Sequence, residues 1–397
     1  MLGNRPFLLW LTSEFTGNVG YSAWSITVIW LAYQISGTLF VSALVLFVQY
    51  GIYSITFIAG PFVDRVQDKR TIYLIVLPLE AVAAATVGFA LDTGRLTVIL
   101  LLGTVAVMAI LEDFWWTVLN TVPRVLVGRD NVLRANGLVT ASGGTGSLAG
   151  YSIGAALIIV VGASGGAFLF AALLAAAALL IVPVSIASAP TVISSLGREF
   201  AQGWSWIVQG PGRPLVQIGA VFAAEGFFLG APALLVTLFS HREFADPSRT
   251  YGILFTAYVV GTAIGGLLVS RSNPRGSLGR LIAATMVAEG GAIALAVGVL
   301  PMIGPSIAAW FAVGLAGSIP ATLFYTYLQA TTPSEALGRV ISNMYLFPGI
   351  ASAVGAIAFG SLAATVDPSI VGYVVAGGLV AAGGAAVAVP VVRGMRF

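Results

Sequence analysis

The sequence predicts an all-α integral membrane protein with twelve transmembrane helices in two pseudo-symmetric six-helix bundles. Three observations carry that prediction. Charged residues make up 8% of the 397 residues and hydrophobic ones 58%, too little charge to cover a water-soluble globule of this size. The chain divides into apolar stretches of about 20 residues, the length a helix needs to cross the hydrocarbon core. Finally, two polar loop segments recur, at offsets of 206 and 210 residues.

The first predicted span, 7–33, follows Arg5 and carries one acid, Glu14. The second, 38–62, starts after Gly37 and runs into Gly60-Pro-Phe-Val-Asp64-Arg65-Val-Gln-Asp68-Lys69-Arg70, with five charges in seven residues. The third, 71–92, stops at Asp92-Thr-Gly-Arg95, and the fourth, 96–119, stops before the polar stretch containing Arg124 and Arg129. Spans five and six, 137–160 and 164–186, are parted by Gly162-Ala-Ser-Gly165. A segment at 187–213 contains Leu196-Gly-Arg-Glu-Phe200 and Trp204-Ser-Trp206, the pattern of an amphipathic helix lying on the inner surface.

Spans seven and eight, 214–239 and 250–270, flank an outer loop with the lone His241. The ninth, 280–300, follows the basic turn at Arg271 and Arg275, and the tenth, 305–328, begins at Pro305. The last two, 341–364 and 369–392, are introduced by Pro333–Arg339 and by Asp367-Pro368. A β-barrel, the other spanning solution, would alternate polar and apolar residues; runs such as Ala171–Val184 do not.

Duplication follows from register. Gly60, Arg65 and Lys69 recur as Gly266, Arg271 and Arg275, and Pro123-x4-Gly128-Arg129 recurs as Pro333-x4-Gly338-Arg339. The expected domains are therefore an N-terminal bundle 1–186, a linker 187–213 and a C-terminal bundle 214–397, related as parallel repeats. The copies are unequal, since Ser270 stands where the first has Asp64.

With a cytoplasmic N-terminus, inner segments hold fifteen basic residues and outer loops three, Arg95, Arg242 and Arg249. Basic residues are retained inside, so both termini are expected in the cytoplasm of a cell membrane. The net charge of +3 calls for no nucleic-acid partner. Absence of cysteine excludes disulfides and thiol chemistry. No metal cluster of histidine and cysteine and no phosphate-binding Gly-rich loop ending in Lys-Ser/Thr occurs, so no metal, cofactor or ATP is expected. No cleavable signal peptide is expected. A lone histidine outside the spans leaves no nucleophile–base spacing for an enzyme.

Six carboxylates fall inside apolar spans: Glu14, Glu80, Glu112, Asp113, Glu225 and Glu289. Placing an ionised group at the bilayer centre costs about 3 kcal/mol on insertion scales, so such acids face an aqueous cavity or carry a proton. With about 1.5 Å rise per residue, Glu14 lies about 10 Å and Glu112 about 12 Å inside the membrane. Asp113 points about 100° away from Glu112 on its helix, so Glu112 is favoured to face a cavity. Glycines cluster as Gly143-Gly144-x-Gly146-x3-Gly150-x3-Gly154 and Gly261-x3-Gly265-Gly266, a spacing that lets helices approach closely.

The turn Gly60–Arg70 resembles the loop motif of the major facilitator superfamily, G-x-x-x-D-R-x-x-x-[RK]-[RK], at every specified position. Gly146-Ser-Leu-Ala-Gly150-Tyr151-Ser-Ile-Gly154-Ala155 is similar to its exporter-associated motif G-x-x-x-G-P-x-x-G-G, with tyrosine for proline and alanine for the last glycine. The segments Val122–Gly137 and Tyr325–Val340 look most like the enterobactin-exporter and macrolide-efflux branch.

The resemblance implies a secondary transporter working by alternating access, most simply proton-coupled export of a small lipophilic or amphipathic compound. An importer, a metal-cation exporter and a non-transporting receptor are the alternatives. It also implies that helices one, four, seven and ten line the cavity. Glu14 and Glu112 are then near neighbours, Glu225 faces them, and all three are candidates for binding protons or substrate. The alternative for each is a neutral acid bonded to a helix carbonyl.

Glu80 and Glu289 would sit on peripheral helices in structural roles. Aromatic residues on the cavity helices, Trp24, Trp115, Trp116, Phe227, Phe228, Tyr325 and Tyr327, suit a lipophilic or cationic guest, although for any single one a lipid-facing or packing role carries more weight. Gly60, Asp64, Arg65, Lys69 and Arg70 are implied as the cytoplasmic gate, and Gly146, Gly150 and Gly154 as the flexible face of helix five. Members often carry an arginine inside helix four; here none precedes Arg124. The partners expected are the small molecule, protons and lipid, for a monomer.

Overall fold

The computed structural model describes residues 4–54, 59–119, 122–128, 132–187, 196–209, 214–271, 277–332 and 334–395. Apart from one isolated bridge between Asp68 and Ala187, the regular structure among them is helical. The first span is α1 (Arg5–Ser36), started by the Asn4 side chain accepting from the Phe7 N–H and stopped by Gly37 in the left-handed conformation. Of the second expected span, 38–62, the structure describes α2 (Leu39–Tyr53) and α3 (Ala59–Arg65), with 55–58 outside the described residues. Spans three and four are α4 (Arg70–Asp92) and α5 (Val98–Leu119), followed by the short α6 (Val122–Val127). Spans five and six are α7 (Val132–Val160) and α8 (Gly162–Ile181).

The connecting segment forms α9 (Leu196–Gln209), with Ile207 fully buried and Trp204 and Val208 exposed. Span seven is interrupted: α10 (Pro214–Leu229) and α11 (Ala231–Glu243) meet at Gly230, because Pro232 has no N–H for the helical ladder. The remainder are α12 (Pro247–Arg271), α13 (Leu278–Gly298), α14 (Ile303–Thr331), α15 (Ser334–Leu362), α16 (Pro368–Ala388) and the terminal α17 (Pro390–Gly394). Ten of these stretches are long and apolar enough to span a membrane, and α2 is a shorter apolar helix. At 32 residues, α1 is also long enough to cross. The chain is a multi-pass membrane protein.

Two compact units emerge from the packing: residues 1–37 with 55–196, and residues 38–54 with 197–397. In the first, α1 packs on α7 and α8, while α4 packs on α8 and α5. In the second, α10 packs on α15, α13 on α16 and α14, and α12 on α14. Helix α2 belongs to the second unit, lying along α15, whereas α3 packs on α5 in the first. Gly360 and Gly349 of α15 make room for α2: a Cβ there would stand 2.3 Å from the Ala43 Cβ and 2.4 Å from the Ser54 hydroxyl.

Close approach is repeated at two sets of glycines spaced by four. A Cβ at Gly150 would stand 2.2 Å from the Val19 carbonyl oxygen, and one at Gly154 2.8 Å from the Ala23 Cα. Gly146 lies against Phe15 and Asn18, so the three glycines of α7 seat on one ridge of α1. In the second unit Gly261 and Gly265 of α12 meet Phe311 and Leu315 of α14.

Candidate functional site

The most elaborate polar constellation surrounds Glu14, which is 2% exposed in the middle of α1. Its Oε1 accepts from the Tyr73 hydroxyl of α4 at 2.5 Å and from Trp115 Nε1 of α5 at 3.2 Å. Trp10, one turn earlier on α1, donates Nε1 to the Tyr73 oxygen at 2.9 Å. The second oxygen, Oε2, is buried without a hydrogen-bond partner among the described residues. One carboxyl oxygen is thus held by two donors, and the other is the atom left to carry a proton. Gly17 lets the Trp115 ring lie flush on α1, with 3.1 Å between its absent Cβ and that ring.

Glu112 does not join this cluster. Trp115, three residues on and therefore on the same face of α5, takes the place beside Glu14. Glu112 is half-buried, and its charge acts on Glu80 of α4 and on Tyr151 of α7. Glu80 is 2% exposed and has no hydrogen-bond partner among the described residues. Asp113 is buried on the adjoining face, its backbone carbonyl accepting from the Thr117 hydroxyl at 2.7 Å. Tyr151 replaces the proline of the exporter-like motif and hydrogen-bonds Ser22 of α1.

In the second unit, Glu225 of α10 and Glu289 of α13 are buried, again without hydrogen-bond partners among the described residues. The Glu289 carboxylate rests on α14 at Gly317, where a Cβ would stand 2.6 Å from Oε1. Among the described residues, no group of three metal-ligating side chains forms.

The aromatic candidates divide. Trp24 is 1% exposed and stacks on Phe170 of α8, with ring centroids 5.4 Å apart, as part of the first unit's core. Trp115 is buried on Glu14, and Trp116 is exposed. Phe227 packs edge-on against Phe228 and Phe359. Tyr327 is half-buried against the core of the second unit, and the side chain of Tyr325 lies outside the described residues.

The basic turn is built within the first unit. Asp68 Oδ1 accepts from the Ile186 N–H at 3.1 Å and from the Arg70 N–H at 3.0 Å, while Oδ2 pairs with Arg70 Nη2 at 3.1 Å. Arg70 Nη1 also reaches the Val182 carbonyl at the end of α8, at 3.1 Å. Lys69 is buried, its Nζ donating to the Val63 carbonyl and its N–H to that of Ile186. Arg65 is exposed and lies 5.8 Å over the Phe62 ring. The side chain of Asp64, like position 60, lies outside the described residues.

Sequence reading missed Tyr73, Trp10 and Asp68. A tyrosine or tryptophan in an apolar span carries no sign of its partner, although Asp68 stood in the charged turn and could have been singled out.

No family model and no curated protein sequence matches the chain. Solved structures do. A mutant form of the nucleoside transporter NupG aligns with a TM-score of 0.79 at 13% identity, over 96% of this chain and all of that one. The peptide transporter POT in complex with sulfate aligns at 0.74 and 10% identity, over 98% and 95%. A bacterial homologue of the human lysosomal transporter Spinster, inward-facing and unoccupied, aligns at 0.66 and 15% identity, over 97% and 94%. With its helix order and this full-length correspondence, the chain has the fold of the major facilitator transporters.

Proposed function

We propose that this protein is a secondary active transporter that exports a small lipophilic or amphipathic molecule by alternating access, in exchange for protons. The observation that carries the proposal is Glu14: a carboxyl group sunk in an apolar bundle, with one oxygen fixed by Tyr73 and Trp115 and the other bare. A buried carboxylate without a cation is unstable as an anion, so it is suited to load and release a proton as its surroundings change. Glu112 and Glu225 are the other proton or substrate sites in this scheme.

The gate is assigned to Gly60, Asp64, Arg65, Lys69 and Arg70, on the cytoplasmic side, and the branch to the enterobactin and macrolide exporters. The named neighbours are nucleoside and peptide transporters, which supports transport of small solutes while leaving the direction to experiment.

Reconstitution into vesicles with an imposed pH gradient tests the proposal. Candidate lipophilic compounds should move against inward proton flow, and Glu14→Gln should abolish gradient-driven movement while leaving expression intact. Undiminished, gradient-dependent transport in Glu14→Gln, Glu112→Gln and Glu225→Gln alike would reject proton coupling through these acids. Asp64→Asn with wild-type transport would remove the gating role.

A further inference from the structure

The internal duplication extends to the buried acids. Glu225 follows Glu14 by 211 residues and Glu289 follows Glu80 by 209, within a few residues of the loop offsets. Each pair occupies corresponding helices, since α10 packs on α15 as α1 packs on α7, and α13 packs on α16 as α4 packs on α8. Their surroundings have diverged. Position 322, the counterpart of Glu112, is threonine, and position 282, the counterpart of Tyr73, is isoleucine. The second unit therefore lacks both the acid that neighbours Glu80 and the hydroxyl that holds Glu14.

Geometry then brings Glu225 and Glu289 to within about one turn of each other along α14. Phe222, three residues before Glu225 on the same face of α10, stacks on Phe324 of α14 with centroids 3.9 Å apart. Spans seven and ten cross in opposite directions, so moving from Phe222 to Glu225 corresponds to moving from Phe324 back towards Gly317. Glu289 lies against Gly317. At 1.5 Å per residue the two carboxyl-bearing levels differ by about 6 Å along the helix axis, less than the reach of two glutamate side chains. Both are more than nine-tenths buried without hydrogen-bond partners among the described residues, and the Phe222–Phe324 stack closes one side. Glu225 is the charged group that acts on Glu289.

We propose that Glu225 and Glu289 form a single proton-binding carboxyl pair inside the C-terminal unit, with Gly317 providing the space for the Glu289 carboxyl. Two buried acids that act on one another, with no cation among the described residues, disfavour double ionisation; one proton shared between them leaves the pair with a single negative charge. Its role in transport rests on the proton-coupling reading above, but its existence does not.

The test is infrared difference spectroscopy of the purified full-length protein in detergent, following the carbonyl stretch of protonated carboxyl groups across a pH titration. Wild type, Glu225→Gln, Glu289→Gln, the double variant and Gly317→Ala are compared. If the pair exists, each single variant moves the titration midpoint of the remaining carboxyl by at least about one pH unit. Gly317→Ala, which removes neither acid, should disturb the same signal.

Titration of each acid at an unchanged midpoint in the other's variant would overturn the pair. So would a Gly317→Ala spectrum identical to wild type. The measurement needs no transport. Coupled titration in a protein that moves no protons would therefore uphold the pair and reject its role in transport, whereas uncoupled titration in an active proton-driven exporter would reject the pair and leave the transport reading standing.

Discussion

At the scale of single residues, the decisive element is the division of labour on Glu14. Tyr73 supplies the shorter of its two hydrogen bonds, so Tyr73→Phe should lower stability by about 1 kcal/mol, read as a fall in the thermal unfolding midpoint in detergent. It should also slow proton-driven transport more than Trp24→Phe does, because Trp24 only stacks on Phe170. Equal effects would show that Tyr73 acts through packing alone. Glu14 itself was legible in the sequence as an acid in an apolar run. Its partners were not, since they come from residues 59 and 101 positions away.

At the scale of helices, glycine spacing sets how closely neighbours approach. Gly150→Leu would drive a side chain into the Val19 carbonyl, 2.2 Å from the position of its Cβ, and should cost about 3 kcal/mol. Gly143→Leu, on the same helix with open space around it, should be tolerated. Comparing the two unfolding midpoints checks this. The basic turn makes a second prediction: Asp68→Ala removes the acceptor for the Ile186 N–H and the partner of Arg70. Because that pair is partly exposed, the loss should be about 1 kcal/mol. Glycine periodicity and charge clusters are local properties, which is why both were readable in the sequence. The interruption of span seven at Gly230 and the partition of α2 and α3 between units were not, because they depend on which helices pack alongside.

At the scale of the whole molecule, the fifteen-to-three distribution of basic residues predicts cytoplasmic termini. The chain contains no cysteine, so single-cysteine variants give an unambiguous check. Thr93→Cys should react with a membrane-impermeant maleimide from outside intact cells, and Arg275→Cys only after the membrane is opened. Reversed accessibility would invert the topology and reassign the gate to the other side. The sequence by itself determined that the chain spans a membrane many times, that two polar loop segments recur in its second half, and that acids lie within the apolar spans. These follow from hydrophobic length, register and the cost of burying charge, each of which is additive along the chain. Only the tertiary structure decided that Tyr73 and Trp115, rather than Glu112, stand beside Glu14, and that Glu289 reaches α14 at Gly317. Which side chains meet depends on helix rotation and on steric gaps set by residues far apart in sequence, and no local pattern encodes either.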